Sequence, residues 1–184
     1  MTQQFVLHHF ETGTPLDPLH FVTRDGMLVA LDFGPVEARL SRLLKRRFGD
    51  GFGFTPAAGG HPVRIALEAY LAGDLAALDA IAVDGGGTPF QKQVWKALRS
   101  IPPGETRSYG ELAAILGQPT AARAVGLANG LNPINLFVPC HRVIGKSGAL
   151  TGYGGGIERK RWLLAHEQAA TRTVANTGQM DFSF

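Results

Sequence analysis

The 184-residue chain has a single cysteine, two tryptophans and three tyrosines. One cysteine excludes an internal disulfide and fits a reducing compartment, so a cytoplasmic protein is expected. No apolar run is long and clean enough to span a bilayer. The most apolar stretch, residues 65–83, is broken by Glu68, Asp74 and Asp79, and no membrane association is expected. The N-terminus lacks a basic start, an apolar stretch and a small-residue cleavage site, which argues against an export signal. There is no internal repeat and no low-complexity block. The glycine runs at 85–87 and 154–156 are too short to act as linkers of any reach.

The length suits one large domain or two small ones, and a hydrophobic content of 45% is enough for a core. The net charge of +3 is unevenly spread. Residues 1–88 carry 7 Lys+Arg against 10 Asp+Glu, a net of −3, whereas residues 89–167 carry 10 against 4, a net of +6. A basic half beside an acidic half suits contact with a polyanion. An ordinary solvated surface is the alternative that charge alone leaves open.

The pattern predicts a mixed α/β chain. Runs at 19–23 and 27–33 flank Arg24-Asp25-Gly26, and Asp-Gly is a strong hairpin signal, so residues 5–33 are expected as antiparallel strands. Residues 36–48 have helical apolar spacing with Gly49 as a stop, and 62–78 reads as a second helix. The glycine- and phenylalanine-rich stretch 49–60 between them reads as a loop, and 81–83 as a short strand. Asp84-Gly85-Gly86-Gly87 reads as a linker, where the charge balance also changes. This divides the chain into an N-terminal domain (1–84), a second domain (85–167) and a C-terminal tail without clear periodicity (168–184).

The second half is well punctuated. Thr88-Pro89-Phe90-Gln91 is a capping box with proline at the first helical position, opening a helix with Phe90, Val94, Trp95 and Leu98 on one face. Ser108-Tyr109-Gly110-Glu111 is a second capping box, for a short helix that Gly117 breaks. Thr120 is expected to cap a third helix from Ala121 to about Asn129. Two short helices joined by a glycine-containing turn fit a helix-turn-helix, a pattern ordinary helical domains share. In the third helix Ala121, Ala122, Ala124, Gly126 and Ala128 leave little bulk, and Arg123 is the only long charged side chain. Such a helix packs closely on a neighbour or presses into a minor groove only ~6 Å wide. In the groove, Arg123 would be placed to enter the base stack.

Cys140 sits in Val138-Pro139-Cys140-His141-Arg142-Val143. A lone cysteine is commonly inert filler. Here His141 offers a base, and Arg142 adds positive charge that favours thiolate. Neighbouring residues on an extended chain point opposite ways, so cooperation between Cys140 and His141 requires a bend after Pro139. A carboxylate on the far imidazole nitrogen would orient the ring, and Glu167 is a candidate, with a helix-end surface carboxylate as the alternative. Asn132-Pro133-Ile134-Asn135 is a turn ahead of an expected apolar strand at 136–138, and Asn132 could orient the bend that presents Cys140. The loop Thr151-Gly152-Tyr153-Gly154-Gly155-Gly156 allows close backbone approach to a flat ligand. It lacks the Gly-Lys-Ser/Thr ending of a phosphate-binding loop.

Pro139-Cys140-His141-Arg142-Val143 resembles the signature of the O6-alkylguanine-DNA alkyltransferase family. The resemblance extends over residues 88–167, through Arg107-Ser108-Tyr109-Gly110-Glu111-Leu112-Ala113, Ala121-Ala122-Arg123-Ala124-Val125-Gly126, Asn132-Pro133, Gly152-Tyr153, Arg159-Lys160 and Trp162-Leu163-Leu164-Ala165-His166-Glu167. Residues 1–84 are similar to the family's variable N-terminal domain only loosely. The resemblance implies a ribonuclease-H-like α/β domain followed by a helical, winged-helix-like DNA-binding domain. It implies that Cys140 irreversibly accepts the alkyl group of O6-alkylguanine, and of O4-alkylthymine, in double-stranded DNA bound through the minor groove by a monomer. His141 would act as base through a bridging water, Glu167 would complete the relay, and Asn132 would hold the turn. Tyr109 would rotate the nucleotide and hydrogen-bond the base. Arg123 would fill the stack on a helix whose Ala121, Ala122, Ala124 and Gly126 allow the approach. Val143, Tyr153, Gly154, Lys160 and Asn129 would line the pocket. No cofactor is implied. Some relatives bind zinc through N-terminal cysteines, which are missing here, so no metal site is expected, and His8, His9, His20 and His61 are read as structural or exposed. A cysteine hydrolase and a non-enzymatic DNA binder are the competing functional readings.

Overall fold

The computed structural model describes residues 3–57 and 59–177. The fold is mixed α/β. Strands β1 (Gln3–Phe10), β2 (Leu19–Arg24) and β3 (Met27–Phe33) form an antiparallel meander, and Asp25 and Gly26 take positive φ in the tight β2–β3 turn. The sheet order is β3-β2-β1-β4. Strand β4 (Phe52–Pro56) pairs parallel with β1, so the stretch expected as a loop is an edge strand instead. Its Gly-Phe alternation hides a strand that packs Phe52 edge-on against Phe5, with ring centroids 5.7 Å apart.

The sheet separates two apolar layers. Helix α1 (Arg39–Phe48) covers one face through Leu40 and Leu44, against Phe5, Val22, Val29 and Ala30. It starts three residues later than the periodicity predicts and stops at Gly49, whose φ is +74°. On the other face, Phe10, Leu19, Phe21, Leu28, Leu31 and Phe33 share one cluster with helix α2 (Pro62–Leu71) and with residues from the second half of the chain. Helix α2 ends well short of residue 78. Gly73 turns the chain at φ +106°, and only a 3-10 turn at Ala77–Ala80 follows. The strand expected at 81–83 reduces to one parallel bridge, Leu28–Val83.

Residues 84–87 are held in place. Asp84 N donates to Leu28 O (2.9 Å), its carboxylate accepts from Arg47, and a Cβ at Gly87 would lie 2.7 Å from the Trp95 ring. Helix α3 (Pro89–Arg99) follows with the expected capping box, burying Val94, Trp95 and Leu98, and Phe90 packs against the same cluster. Helix α4 (Tyr109–Ile115) also has its capping box. Helix α5 (Ala122–Gly130) has Ala121 as its N-cap residue and no side-chain cap, so Thr120 does not cap it. Strands β5 (Arg107–Ser108) and β6 (Val143–Ile144) form a short parallel pair. Helix α6 (Ile157–Thr177) runs ten residues beyond Glu167, replacing the first part of the expected tail. No helix breaker follows Glu167 until the described residues end; residues 178–184 lie outside them.

Candidate active site

The expected strand at 136–138 is a coil. Leu136 has φ +69°, and Phe137 N→Asn135 O (2.9 Å), Val138 N→Ile134 O (3.0 Å) and Cys140 N→Val138 O (2.7 Å) fold the chain on itself. The coil is anchored to the sheet where Leu31 N donates to Pro133 O and Asn135 N donates to Leu31 O. Cys140–Arg142 then form a 3-10 turn with all three side chains buried, which supplies the bend after Pro139.

His141 Nε2 lies 2.8 Å from Glu167 Oε1, and both residues are fully buried. Glu167 is therefore not a surface carboxylate. It also accepts from the Tyr70 hydroxyl (2.9 Å), Gly104 N (3.1 Å) and Arg142 through Nε (3.0 Å) and Nη2 (2.9 Å). Burial alone would raise its carboxyl, but the bonds and charges of His141 and Arg142 outweigh that and hold it far below the ordinary carboxylate range. An ionised carboxylate only accepts, so Nε2 carries the hydrogen and the neutral ring presents its lone pair at Nδ1. Nδ1 is buried and has no hydrogen-bond partner. Burial pushes the His141 pKa down, and Glu167 offsets this in part.

The Cys140 sulfur bonds to two asparagines rather than to His141. Asn132 Nδ2 donates to Sγ (3.1 Å), and Sγ donates to Asn135 Oδ1 (3.1 Å). Asn132 also bonds the coil itself, since Nδ2 donates to Val138 O (2.7 Å) and Oδ1 accepts from Ile134 N (3.0 Å). Burial raises the thiol pKa, and the Asn132 bond and the charges of Arg39 and Lys160 pull it back in part. The nearby positive charge thus comes from Arg39 and Lys160. Arg142, given that role on sequence, is committed to Glu167 and to Ile101 O.

Of the residues expected to line a pocket, Lys160, Val143 and Tyr153 lie close to this turn. Lys160 is fully buried and donates to Val143 O (2.5 Å) and Thr151 O (2.9 Å), and burial lowers its pKa to about 8. Val143 is buried on β6. Burial raises the Tyr109 pKa, a bond with Thr151 partly offsets this, and the Cys140 charge adds to the rise. The Tyr153 hydroxyl is buried without a partner, and its ring packs near Phe33 and His141. Gly154 is exposed, and a Cβ there would meet the Arg39 guanidinium. Asn129 is buried with Oδ1 unpartnered.

On α5 the two readings of a slim helix divide between its faces. Arg123 and Ala124 are exposed together with Leu127, and Arg123 makes no hydrogen bond or ion pair among the described residues. Ala121, Ala122 and Gly126 are half-buried, and a Cβ on Gly126 would lie 3.7 Å from the Tyr109 ring. The small residues therefore serve internal packing as well as a thin outer face.

Sequence reasoning missed Tyr70, Asp32, Arg39 and the part played by Asn135. Asp32 accepts from Asn135 Nδ2 (2.7 Å) and from Arg39 Nη1 (2.9 Å), and Arg39 Nη2 also binds Gly130 O and Asn132 O. An aspartate inside the apolar run of β3 was the available signal, because a buried charge needs a partner. Among the described residues, no group of histidine, cysteine or carboxylate side chains could hold a metal ion, and no helix is long and apolar enough to cross a membrane. His8 bonds Thr23, His9 lies between His20 and Glu11, and His61 caps α2.

Residues 89–169 match the family model described as the DNA-binding domain of 6-O-methylguanine DNA methyltransferase. Over 157 residues the chain is 49% identical to the methylated-DNA–protein-cysteine methyltransferase of Salmonella typhimurium, covering 84% of this chain and 92% of that one. It is 47% identical over 166 residues to the protein of the same name from Mycobacterium bovis, covering 89% and 94%. Among solved structures it is similar to Mycobacterium tuberculosis OGT in complex with DNA, with TM-score 0.75, 44% identity and coverage of 90% and 94%. It is also similar to the O6-methylguanine-DNA methyltransferase of Pyrococcus kodakaraensis, with TM-score 0.69, 26% identity and coverage of 89% and 98%.

Proposed function

The chain belongs to the methylated-DNA–protein-cysteine methyltransferase family, and from that premise we propose that Cys140 takes the alkyl group from O6-alkylguanine, and from O4-alkylthymine, once per molecule. As a member it is a DNA-binding repair methyltransferase. The observation that carries the reading is the buried His141–Glu167 pair, with the free Nδ1 of its imidazole, next in the chain to the only cysteine.

In the reaction the thiol proton passes to His141 Nδ1 through one water. The S–C bond forms as the C–O6 bond breaks, the electron pair stays on guanine, and a proton returns to the base. Glu167 stabilises the imidazolium that forms in between. The product is a thioether, which thiol exchange does not reverse, and no second cysteine is present to reset it. Asn132 positions the sulfur, while Tyr109 turns the nucleotide and hydrogen-bonds the base. Val143, Tyr153, Gly154, Lys160 and Asn129 line the pocket for the extruded base.

Taking a base out of the stack costs a few kcal/mol, less where pairing is already weak. Arg123, exposed and uncommitted, fills the gap it leaves. The thin face bearing Arg123 and Ala124, with Ala121, Ala122 and Gly126 behind it, enters the minor groove. The protein acts as a monomer in the cytoplasm, with a ribonuclease-H-like domain over residues 1–84 and a winged-helix-like domain over 85–167. A titration of duplex O6-methylguanine against protein tests the reading. Repair should stop at one lesion per protein molecule, and sustained turnover would refute it.

A further inference from the structure

We propose that Asn135 locks the resting acceptor as a thiol: fixed in place by Asp32, its Oδ1 holds the Cys140 proton until a substrate is bound. The sulfur has one donor partner and one acceptor partner, and other bonds settle the orientation of both amides. Asn132 Oδ1 takes Ile134 N, which turns Nδ2 to the sulfur. Asn135 Nδ2 is bound to Asp32 Oδ1 at 2.7 Å, which turns its Oδ1 to the sulfur at 3.1 Å. Asp32 cannot swing away, because Phe33 N and Arg39 Nη1 hold its two oxygens. Asn132, Asn135, Asp32 and Cys140 are all buried, so water does not soften the contacts.

This cage fits S–H. A thiolate can only accept, so it would keep the Asn132 bond and face the Asn135 carbonyl oxygen with no proton between them. A hydrogen bond to the neutral form disfavours the charged form. The other groups acting on the sulfur divide. Arg39 on α1 and Lys160 on α6 favour thiolate, and Asp32 on β3 opposes it. Charge on the sulfur would also be felt by Tyr109 on α4 and by Tyr153, whose hydroxyls it pushes towards the neutral form. His141, next in the chain, gives its Nε2 hydrogen to Glu167 and makes no bond to the sulfur.

Turning the S–H bond about Cβ–Sγ, away from Asn135, frees the proton without moving the backbone. A sulfur that is consumed by its reaction gains from such a lock, since a standing thiolate would be spent on stray electrophiles.

The inference rests on the reading of Cys140 as the acceptor, but its test needs no DNA. The full chain, labelled with 13Cβ-cysteine, gives one cysteine resonance, whose shift against pH reports the thiol midpoint. Asn135→Leu fills the same space with no acceptor, and Asn135→Ala leaves the space open. Both should lower the midpoint by about one unit or more. An unchanged or raised midpoint in Asn135→Leu, or a fall in Asn135→Ala alone, overturns the proposal. Should Asn135→Leu fail to fold, an unchanged midpoint in Asn135→Ala overturns it. A normal midpoint shift with no alkyl uptake from DNA would instead count against the acceptor role.

Discussion

The Tyr70 hydroxyl donates a 2.9 Å hydrogen bond to Glu167 Oε1, the same oxygen that receives His141 Nε2. Tyr70 lies on α2 and Glu167 on α6, 97 residues apart, so the N-terminal half contributes directly to the buried carboxylate. His166 Nε2 adds a second link, 2.9 Å from Tyr70 O. Tyr70→Phe removes one donor from a buried anion, a loss of about 1.5–3 kcal/mol for a hydrogen bond to a charged group. Urea unfolding should show the lower midpoint, and single-turnover methyl transfer should slow. A variant with wild-type stability and rate would show that this bond contributes nothing.

Acid should weaken the fold before the carboxylates titrate. Burial, with the charge of His61 adding to it, lowers His8 to about 4 from an ordinary 6.5. Between those values the unfolded chain binds a proton that folded His8 refuses. Stability therefore rises with pH across the window and is lost as pH falls from 6.5 towards 4. His61, lowered by burial, acts in the same direction. His8→Gln should shrink the difference in urea midpoint between pH 7 and pH 5, and a pH dependence identical to wild type would contradict this.

Arg123→Ala should leave stability within about 0.5 kcal/mol, because this exposed side chain makes no bond among the described residues. Binding to duplex DNA should weaken, and if Arg123 also neutralises a phosphate the salt dependence should drop by about one charge. Repair of the duplex should fall far more than reaction with free O6-benzylguanine, since filling the stack matters only in a duplex. Equal losses on both substrates would remove that role.

Gly155→Ala should displace Tyr153, one of the residues proposed to line the pocket. The added Cβ would lie 2.5 Å from the Phe33 ring and 2.8 Å from the Tyr153 ring. Overpacking of this kind costs about 1–3 kcal/mol. Displacement of Tyr153 should also slow methyl transfer, and a stable, fully active variant would show that the loop yields freely.

Much of the second half was legible in the sequence because its signals are local. Thr88 with Gln91, Ser108 with Glu111, and Gly117 each fix a helix boundary within a few residues. Cys140 and His141 could be named from a short motif, and Glu167 from the family resemblance, although its helix runs ten residues further than expected. The groups that complete their setting could not be read this way. Asp32 meets Asn135 across 103 residues, and Arg39 meets Asn132 O across 93. No periodicity encodes such pairs, and only the burial of Asp32 in an apolar strand hinted at one. Strand β4 was hidden by the glycine between its two phenylalanines, and the coil at 136–138 because Leu136 adopts a left-handed conformation that its residue type does not announce.

The acceptor role of Cys140 is tested most directly by peptide mass spectrometry after the protein is mixed with duplex DNA carrying O6-methylguanine. The account predicts one added methyl group on the peptide containing Cys140, in step with lesion loss, and neither change in Cys140→Ala. Lesions that disappear while Cys140 stays unmodified would contradict it.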